Sequence, residues 1–149
     1  MKEPIVIDST CLIGLERIGK LDILPELFEP ILIPDEVFNE FGRSFSWLNV
    51  ETPTNLALIN ALKLSVDDGE AEAIVLALEK NCKILSDDKQ ARLVAKKLGL
   101  QVIGTIGMLI QAKQNGLIDL LEPVLKDLEN NGFRMSESLK SEALKIAGE

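Results

Sequence analysis

The amino-acid sequence predicts an α/β protein, a three-layer α/β/α sandwich in which helices cover both faces of a mainly parallel sheet of about four to five strands. Three observations predict this fold. Short apolar segments alternate with helical segments up to about residue 115. The first apolar segment, Pro4 to Ile7, contains three consecutive aliphatic residues, which is typical of a strand buried on both faces. From about residue 119 the pattern is helical only, so we expect a helical C-terminal part over residues 119–149.

The N-terminal half is expected to contain three strands and four helices. Pro34 suits the first position of the third helix and Gly42 suits its end. The fourth helix is expected to bury Leu56 and Ile59. The expected elements are strands at 4–7, 30–34 and 47–50, the last at an edge of the sheet, and helices at 11–18, 20–28, 35–42 and 55–64.

The C-terminal half is expected to contain two further strands between amphipathic helices. Asp67 to Gly69 form a loop and cap before the first of these helices, and Gly99 closes the second. The glycines at 104 and 107 fit a tight turn from the last strand into a helix. The expected elements are strands at 83–86 and 100–103, and helices at 70–80, 89–98, about 107–115, 119–129 and, capped by Ser136, up to 147.

Length and composition exclude several classes of protein. A chain of 149 residues fits a single domain over residues 1–149. The sequence has no histidine and no tyrosine, which excludes a Ser-His-Asp triad, histidine acid–base chemistry and a histidine-ligated zinc site. Two scattered cysteines, Cys11 and Cys82, are expected to be small buried residues rather than a disulfide framework. No apolar run approaches the ~18 residues of a membrane span and no signal-peptide pattern is present, so we expect a cytoplasmic protein that does not enter a membrane.

Two of the expected strands end in carboxylates. Asp8 follows the first strand, and Asp87 and Asp88 follow the fourth. The carboxyl ends of parallel strands are where α/β proteins place their binding sites. Each of these aspartates also fits an N-cap of the following helix, although one cap does not explain two adjacent acids.

Two further acids occupy unusual positions on expected helices. Glu40 lies beside Val37 at the border of the buried face, near a helix C-terminus where the helix dipole disfavours a carboxylate. Glu70 falls at the centre of an apolar helix face, where a charge is costly unless it is paired, hydrogen-bonded or metal-bound. A capping box between Asp67 and Glu70 is the alternative explanation, and both explanations can hold together.

Taken together, these acids predict a carboxylate site for Mg²⁺ or Mn²⁺. Hard divalent cations prefer oxygen ligands, and one or two of them can activate water and stabilise the transition state of phosphodiester hydrolysis. This chemistry needs no histidine. The net charge of −8 argues against a protein that holds nucleic acid by bulk positive potential, but bound metal ions reverse the sign locally. At the rim, Lys89 and Arg92 are candidates for phosphate contacts.

The order and spacing of these motifs resemble the PIN domain family, named after the PilT N-terminus, and its prokaryotic VapC-like branch. The segments that carry the resemblance lie across most of the chain and are IVIDST (5–10), IPDEVFNE (33–40), DGEAEAI (68–74), ILSDD (84–88) and GTIGML (104–109). The resemblance implies a PIN-like domain with metal-dependent ribonuclease activity. It implies Asp8, Glu40, Glu70 and Asp88 as the catalytic and metal-binding acids, with Asp87 as the alternative to Asp88.

The resemblance also implies secondary polar contacts from Ser9 and Ser86, RNA as the substrate, an antitoxin protein as a partner and a homodimer. One departure from the family pattern is Glu70, since the third acid is more usually Asp. We therefore expect a Mg²⁺/Mn²⁺-dependent endoribonuclease that acts as the toxin of a toxin–antitoxin-like pair. The alternative is a catalytically weak PIN-like module that binds RNA or a partner protein, which the acidic charge and Glu70 favour slightly.

Two other classes fit the sequence less well. A phosphorylated receiver-like domain needs its acid pair at the first strand end, whereas here the pair comes late, at residues 87 and 88. A nucleotide site at Gly104 to Gly107 lacks the lysine of a P-loop.

Overall fold

The computed structural model describes residues 2–149, so that only Met1 of the expected domain lies outside it. The strands are β1 (Glu3–Ile7), β2 (Phe28–Ile33), β3 (Leu48–Val50), β4 (Lys83–Leu85) and β5 (Val102–Ile103). The helices are α1 (Ser9–Arg17), α2 (Ile23–Leu27), α3 (Asp35–Phe41), α4 (Leu56–Leu62), α5 (Asp68–Lys80), α6 (Lys89–Lys97), α7 (Thr105–Gln114), α8 (Leu121–Asn130) and α9 (Glu137–Ile146).

The five strands form one sheet in the order β3-β2-β1-β4-β5, and every neighbouring pair is parallel. Successive residues of a strand point to opposite faces of the sheet. Ile5, Val6 and Ile7 of β1 are all fully buried, as are Ile84 and Leu85 of β4, so both faces of the sheet are covered by helices. The expected α/β/α sandwich is therefore confirmed, with an entirely parallel sheet and β3 at one edge.

The C-terminal helices α7, α8 and α9 pack against one another. Met108 and Leu109 of α7 and Leu121, Leu125 and Leu128 of α8 all belong to the buried core. Within residues 2–149, no helix combines the length and the apolar character that crossing a membrane requires.

Pairing in the sheet explains the first difference from the expected elements. The sequence predicts a helix over residues 20–28, but α2 covers only Ile23–Leu27. Phe28 instead begins β2, where it is the partner of Glu3 in the parallel ladder. The strand contact thus overrides the local helical preference at this position.

Two further expectations are wrong for reasons that lie outside the local sequence. Leu56 was expected to be buried but is 67% exposed, because α4 packs mainly against α5 and covers only the side that carries Ile59. The expected helix from residue 119 begins at Leu121. The Glu149 carboxylate fixes that start by accepting hydrogen bonds from the backbone N–H groups of Leu121, at 2.6 Å, and Glu122, at 3.2 Å.

Candidate functional site

The candidate site lies at the carboxyl ends of β1 and β4, which are neighbours at the centre of the sheet. The chain proceeds from β1 through β2 to β3 on one side, whereas β4 and β5 lie on the other side. Such a switch point leaves a crevice outside the strand ends. The backbone N–H of Asp8 donates to the carbonyl oxygen of Leu85 at 3.1 Å, so the acids that follow the two strands lie side by side.

Asp8 is buried at the floor of the site, with 4% of its surface exposed. It is the N-cap of α1, since its Oδ1 accepts the N–H of Cys11 at 2.9 Å. Burial raises the pKa of Asp8 above its usual value, and the nearby Asp87 charge adds to this, while hydrogen bonding from Cys11 opposes it. The Ser86 hydroxyl lies beside Asp8, is buried, and makes no hydrogen bond of good geometry.

Asp87 is held by Cys11 and Thr105, two residues that no sequence motif indicates as functional. Its Oδ1 accepts the backbone N–H of Thr105 at 2.9 Å, and its Oδ2 accepts the Thr105 hydroxyl at 2.5 Å and the Cys11 thiol at 3.3 Å. Burial raises the pKa of the Cys11 thiol well above its usual value, which keeps this donor protonated. Cys11 is therefore buried, as expected, but it also links the first strand end to the second.

A glycine at position 104 makes this arrangement possible. A Cβ atom added at Gly104 would lie 3.0 Å from Oδ1 of Asp87 and 3.0 Å from Nη1 of Arg92. Arg92 in turn donates from Nη1 to the carbonyl oxygen of Ser86 at 2.8 Å. The guanidinium is thus fixed beside the acids, whereas Lys89, the other expected phosphate contact, is exposed at the start of α6.

Asp88 and Glu70 form a second group of acids. Asp88 caps α6 by accepting the N–H of Ala91 at 2.9 Å. Glu70 and Asp67 form the capping box of α5, with reciprocal hydrogen bonds of 3.1 and 2.8 Å. Burial raises the pKa of Glu70 to about 7, helped by the charges of Asp67 and Asp88 and opposed by the Asp67 N–H. The capping explanation and the inward position of Glu70 both hold.

Glu40 reaches the site from α3. Glu40 is exposed, but its Oε1 accepts a hydrogen bond from the Ser9 hydroxyl at 3.2 Å. A Cβ atom added at Gly69 would lie 2.2 Å from that same oxygen, so the carboxylate rests directly on the start of α5. Partial burial raises the pKa of Glu40, and the Asp67, Glu36 and Asp8 charges raise it further. The structure therefore places Glu40 between α1 and α5.

An open cavity of about 1240 Å³ lies over part of this site. Asp67, Glu70, Asp87, Asp88 and Arg92 line it at one end. Asp8 and Glu40 are not among the residues that line it. The remaining walls come from α1, the start of α7, α9 and the segment between α8 and α9, which bring in Arg17 and Arg134.

The acids present a donor set that suits a hard divalent cation, because all the available ligands are carboxylate oxygens. In Asp8, Glu70 and Asp88, one carboxylate oxygen accepts a backbone hydrogen bond, and the other oxygen can still bind a cation. In residues 2–149, however, no three His, Cys, Asp or Glu side chains are arranged closely enough to hold a metal ion. Two electrostatically linked pairs are present instead, Asp8 with Asp87 and Glu70 with Asp88.

Comparisons with known proteins identify a family for the chain. A solved structure of a PilT N-terminus domain protein from the archaeon Sulfolobus solfataricus P2 is 18% identical, covers 73% of this chain and 92% of its own, and superposes with a TM-score of 0.47. No curated protein sequence matches the chain. The model of the PIN domain family matches residues 4–149, and members of that family are generally nucleases that use divalent metal ions. The chain belongs to the PIN domain family.

Proposed function

We propose that the chain is a Mg²⁺- or Mn²⁺-dependent endoribonuclease. The observation that carries this proposal is that acids from three distant parts of the sequence converge at one crevice: Asp8 after β1, Glu70 at the start of α5, and Asp87 and Asp88 after β4. Two of them, Asp8 and Glu70, have raised pKa values, mainly because burial disfavours the charged form and to a smaller extent because other acids lie nearby. Because the sequence has no histidine, carboxylates are the candidates for the chemistry.

In this proposal Asp8, Glu40, Glu70 and Asp88 hold one or two divalent cations, with Asp87 as the alternative to Asp88. A cation bound there supplies an activated water and offsets the charge that develops on the leaving oxygen. Asp8 is the fixed member, since burial and the Cys11 N–H prevent its carboxylate from turning away. Glu70, with a pKa of about 7, is about half protonated near neutral pH, so binding of a cation there would favour loss of its proton. Arg92, fixed by the Ser86 carbonyl, faces the phosphate of the substrate.

The direct test is cleavage of single-stranded RNA by the purified protein with Mn²⁺, followed on a denaturing gel. Asp8→Asn is expected to lower the rate on the order of a hundredfold or more, because metal-assisted catalysis contributes several kcal/mol. Asn also caps helices well, so the melting temperature without metal should not fall. Asp119→Asn, at an exposed position, is the matched control for loss of one carboxylate. If Asp8→Asn cleaves as fast as the wild type, the assignment is wrong.

The second candidate is a catalytically weak PIN-like module that binds RNA or a partner protein. One observation favours it: among residues 2–149, no three acids lie close enough together to hold a metal ion. The effect of Mn²⁺ separates the two proposals. A nuclease cleaves RNA only when Mn²⁺ is present. A binding module does not cleave RNA, and it binds its partner equally well with and without Mn²⁺.

The resemblance of the motifs to the VapC-like branch supports a more specific role. On that basis we propose a cytoplasmic toxin, folded as one PIN-like domain, that forms a homodimer and is held inactive by an antitoxin protein. Size-exclusion chromatography with light scattering tests the dimer. Growth arrest on expression, relieved by Asp8→Asn, tests the toxin role.

A further inference from the structure

The arginines of this acidic chain are concentrated in the cavity. Three of the four arginines in the sequence, Arg17, Arg92 and Arg134, line it, whereas none of the twelve lysines does. The chain as a whole carries a net charge of −8, so three arginines around one cavity are unusual for this protein. Arginine differs from lysine in presenting a planar fork of donors that binds phosphate through two parallel hydrogen bonds.

The three guanidinium groups are available to a ligand. None of the ion pairs among residues 2–149 includes Arg17, Arg92 or Arg134, whereas the fourth arginine, Arg43, pairs with Glu16 outside the cavity. Arg17 and Arg134 are exposed. Arg92 lies beside the acids, but its hydrogen bond is to a backbone carbonyl, and it forms no ion pair with a carboxylate.

The arginines are also spaced along a path that leads away from the acids. Thr10, Ile13, Gly14 and Arg17 line the cavity from one face of α1, which begins directly after Asp8. At 1.5 Å per residue, Arg17 lies about 10 Å further along the helix than Thr10. Arg134 contributes from the segment between α8 and α9, so the path has cations on two of its walls.

Apolar side chains lie between these cations. Phe133 is half-buried and lines the cavity next to Arg134. Leu139 and Ile146 on α9 also line it and are 45% and 55% exposed. Alternation of arginines with aromatic and aliphatic surface is the composition of single-strand binding sites, where phosphates meet cations and unstacked bases lie on apolar side chains.

We propose that this cavity binds a single RNA strand that extends from the acids toward α9. Arg17 and Arg134 bind phosphates of nucleotides beyond the cleaved bond, and Phe133 contacts a base. This inference rests on the proposed ribonuclease function and adds the binding mode of its substrate. A duplex does not fit it, because paired and stacked bases cannot reach the apolar wall. A protein segment would need acids to match the arginines, whereas every phosphate of an RNA strand supplies one.

The test is binding of a fluorescein-labelled, ten-nucleotide single-stranded RNA, measured by fluorescence anisotropy in Ca²⁺-containing buffer and checked for cleavage on a gel. Arg17→Gln and Arg134→Gln are each expected to weaken binding about fivefold, in a manner independent of RNA sequence. Each should also make the slope of log K against log salt concentration shallower by about 0.7, the value for one phosphate contact to a single strand.

Two controls give opposite expectations. Arg43→Gln removes a cation outside the cavity and should leave both affinity and slope unchanged. Glu142→Gln removes a negative charge from the cavity lining and should tighten binding. Melting curves of all four variants show whether a change in binding reflects loss of folding.

The inference is overturned if Arg17→Gln and Arg134→Gln bind with wild-type affinity and slope, or if a duplex of the same sequence binds as tightly as the single strand. A protein segment as the occupant would produce the first of these results. Failure of the proposed function looks different: the RNA still binds through the arginines, but no cleavage occurs with Mn²⁺. Conversely, if Arg17→Gln and Arg134→Gln cleave RNA at the wild-type rate and bind it with wild-type affinity, the ribonuclease proposal is supported and the proposed RNA path is wrong.

Discussion

Asp87 and Asp88 are adjacent in the chain but have different surroundings. Both oxygens of Asp87 are occupied by protein donors, from Thr105 and Cys11. Asp88 uses only Oδ2, for the cap of α6. A carboxylate whose lone pairs are already satisfied stabilises the fold, whereas one with a free oxygen can also bind a cation. This contrast favours Asp88 over Asp87 as a ligand.

Substitution of each aspartate separates these roles. Asp88→Asn should strongly reduce Mn²⁺-dependent cleavage with little loss of stability, because Asn still caps α6. Asp87→Asn should lower the free energy of unfolding by about 1–3 kcal/mol, because one Thr105 donor loses its acceptor. Urea denaturation and the Mn²⁺ concentration for half-maximal cleavage measure the two effects. The reverse pattern, with activity lost only in Asp87→Asn, would identify Asp87 as the ligand.

Glu70 makes stability depend on pH in the absence of metal. The pKa of Glu70 is about 7 in the folded protein, whereas its ordinary value, which applies to the unfolded chain, is 4.5. Between pH 4.5 and pH 7 the folded state therefore binds more protons than the unfolded state. The free energy of unfolding should therefore fall as pH rises from about 4.5 to 7. Asp8 and Glu40, whose pKa values are also raised, contribute in the same direction.

Urea denaturation at pH 5 and pH 7.5 in EDTA measures this dependence. Glu70→Gln should make the difference between the two pH values smaller. Glu137→Gln, in the first turn of α9, is the matched control and should leave the difference as in the wild type. A wild-type protein whose stability rises over this range would contradict the prediction.

At the scale of elements, the contact between α3 and α5 depends on a glycine. Gly69 lies in the first turn of α5 under the Glu40 carboxylate. Gly69→Ala should leave the melting temperature unchanged or slightly raised, since Ala favours a helix by up to about 1 kcal/mol and the displaced atom ends a flexible side chain. Cleavage should nevertheless fall, because Glu40 must move.

A double-substitution cycle checks the cause. In a Glu40→Gln background, Gly69→Ala should produce no further loss of cleavage. An equal loss in both backgrounds would show that the alanine acts through something other than Glu40. The melting temperatures of the two single variants serve as the control for folding.

Most elements could be predicted from local patterns, and the exceptions depend on distant residues. The apolar strands and the helices that begin directly after Pro34 and Asp67 follow from hydrophobic periodicity and capping residues. The start of β2 depends on pairing with Glu3, and the start of α8 depends on Glu149. Neither partner lies within reach of a local sequence window.

The candidate site shows the same division. Its acids are visible in the sequence because they follow buried strands or interrupt apolar faces. The contacts of Cys11 and Thr105 to Asp87 join positions 76 and 18 residues apart, respectively, so no spacing pattern reveals them. Of the cavity arginines, Arg92 is indicated by its place after the fourth strand, whereas Arg17 and Arg134 are not, since the cavity walls exist only once α1, α7 and α9 have packed.

At the scale of the whole molecule, the negative charge gathered at the strand ends opposes folding until a cation binds. Mn²⁺ at a hundred times its Kd should raise the melting temperature of the wild-type protein by about 5–10 °C. Differential scanning calorimetry with and without Mn²⁺ measures this, with KCl at matched ionic strength as the control. Asp8→Asn should show a much smaller rise. An equal rise in both proteins would place the bound Mn²⁺ elsewhere.

The central position of β1 fixes when the site can form during synthesis. Ile5, Val6 and Ile7 pair with Lys83 to Leu85, and the N–H of Asp8 bonds to Leu85. A chain emerging from the ribosome therefore carries its first acid long before the strand that positions it. The crevice is assembled only after β4, α6 and α7 have been released. Nascent and truncated chains that end before β4 consequently lack a complete site. The site is therefore complete only late in translation.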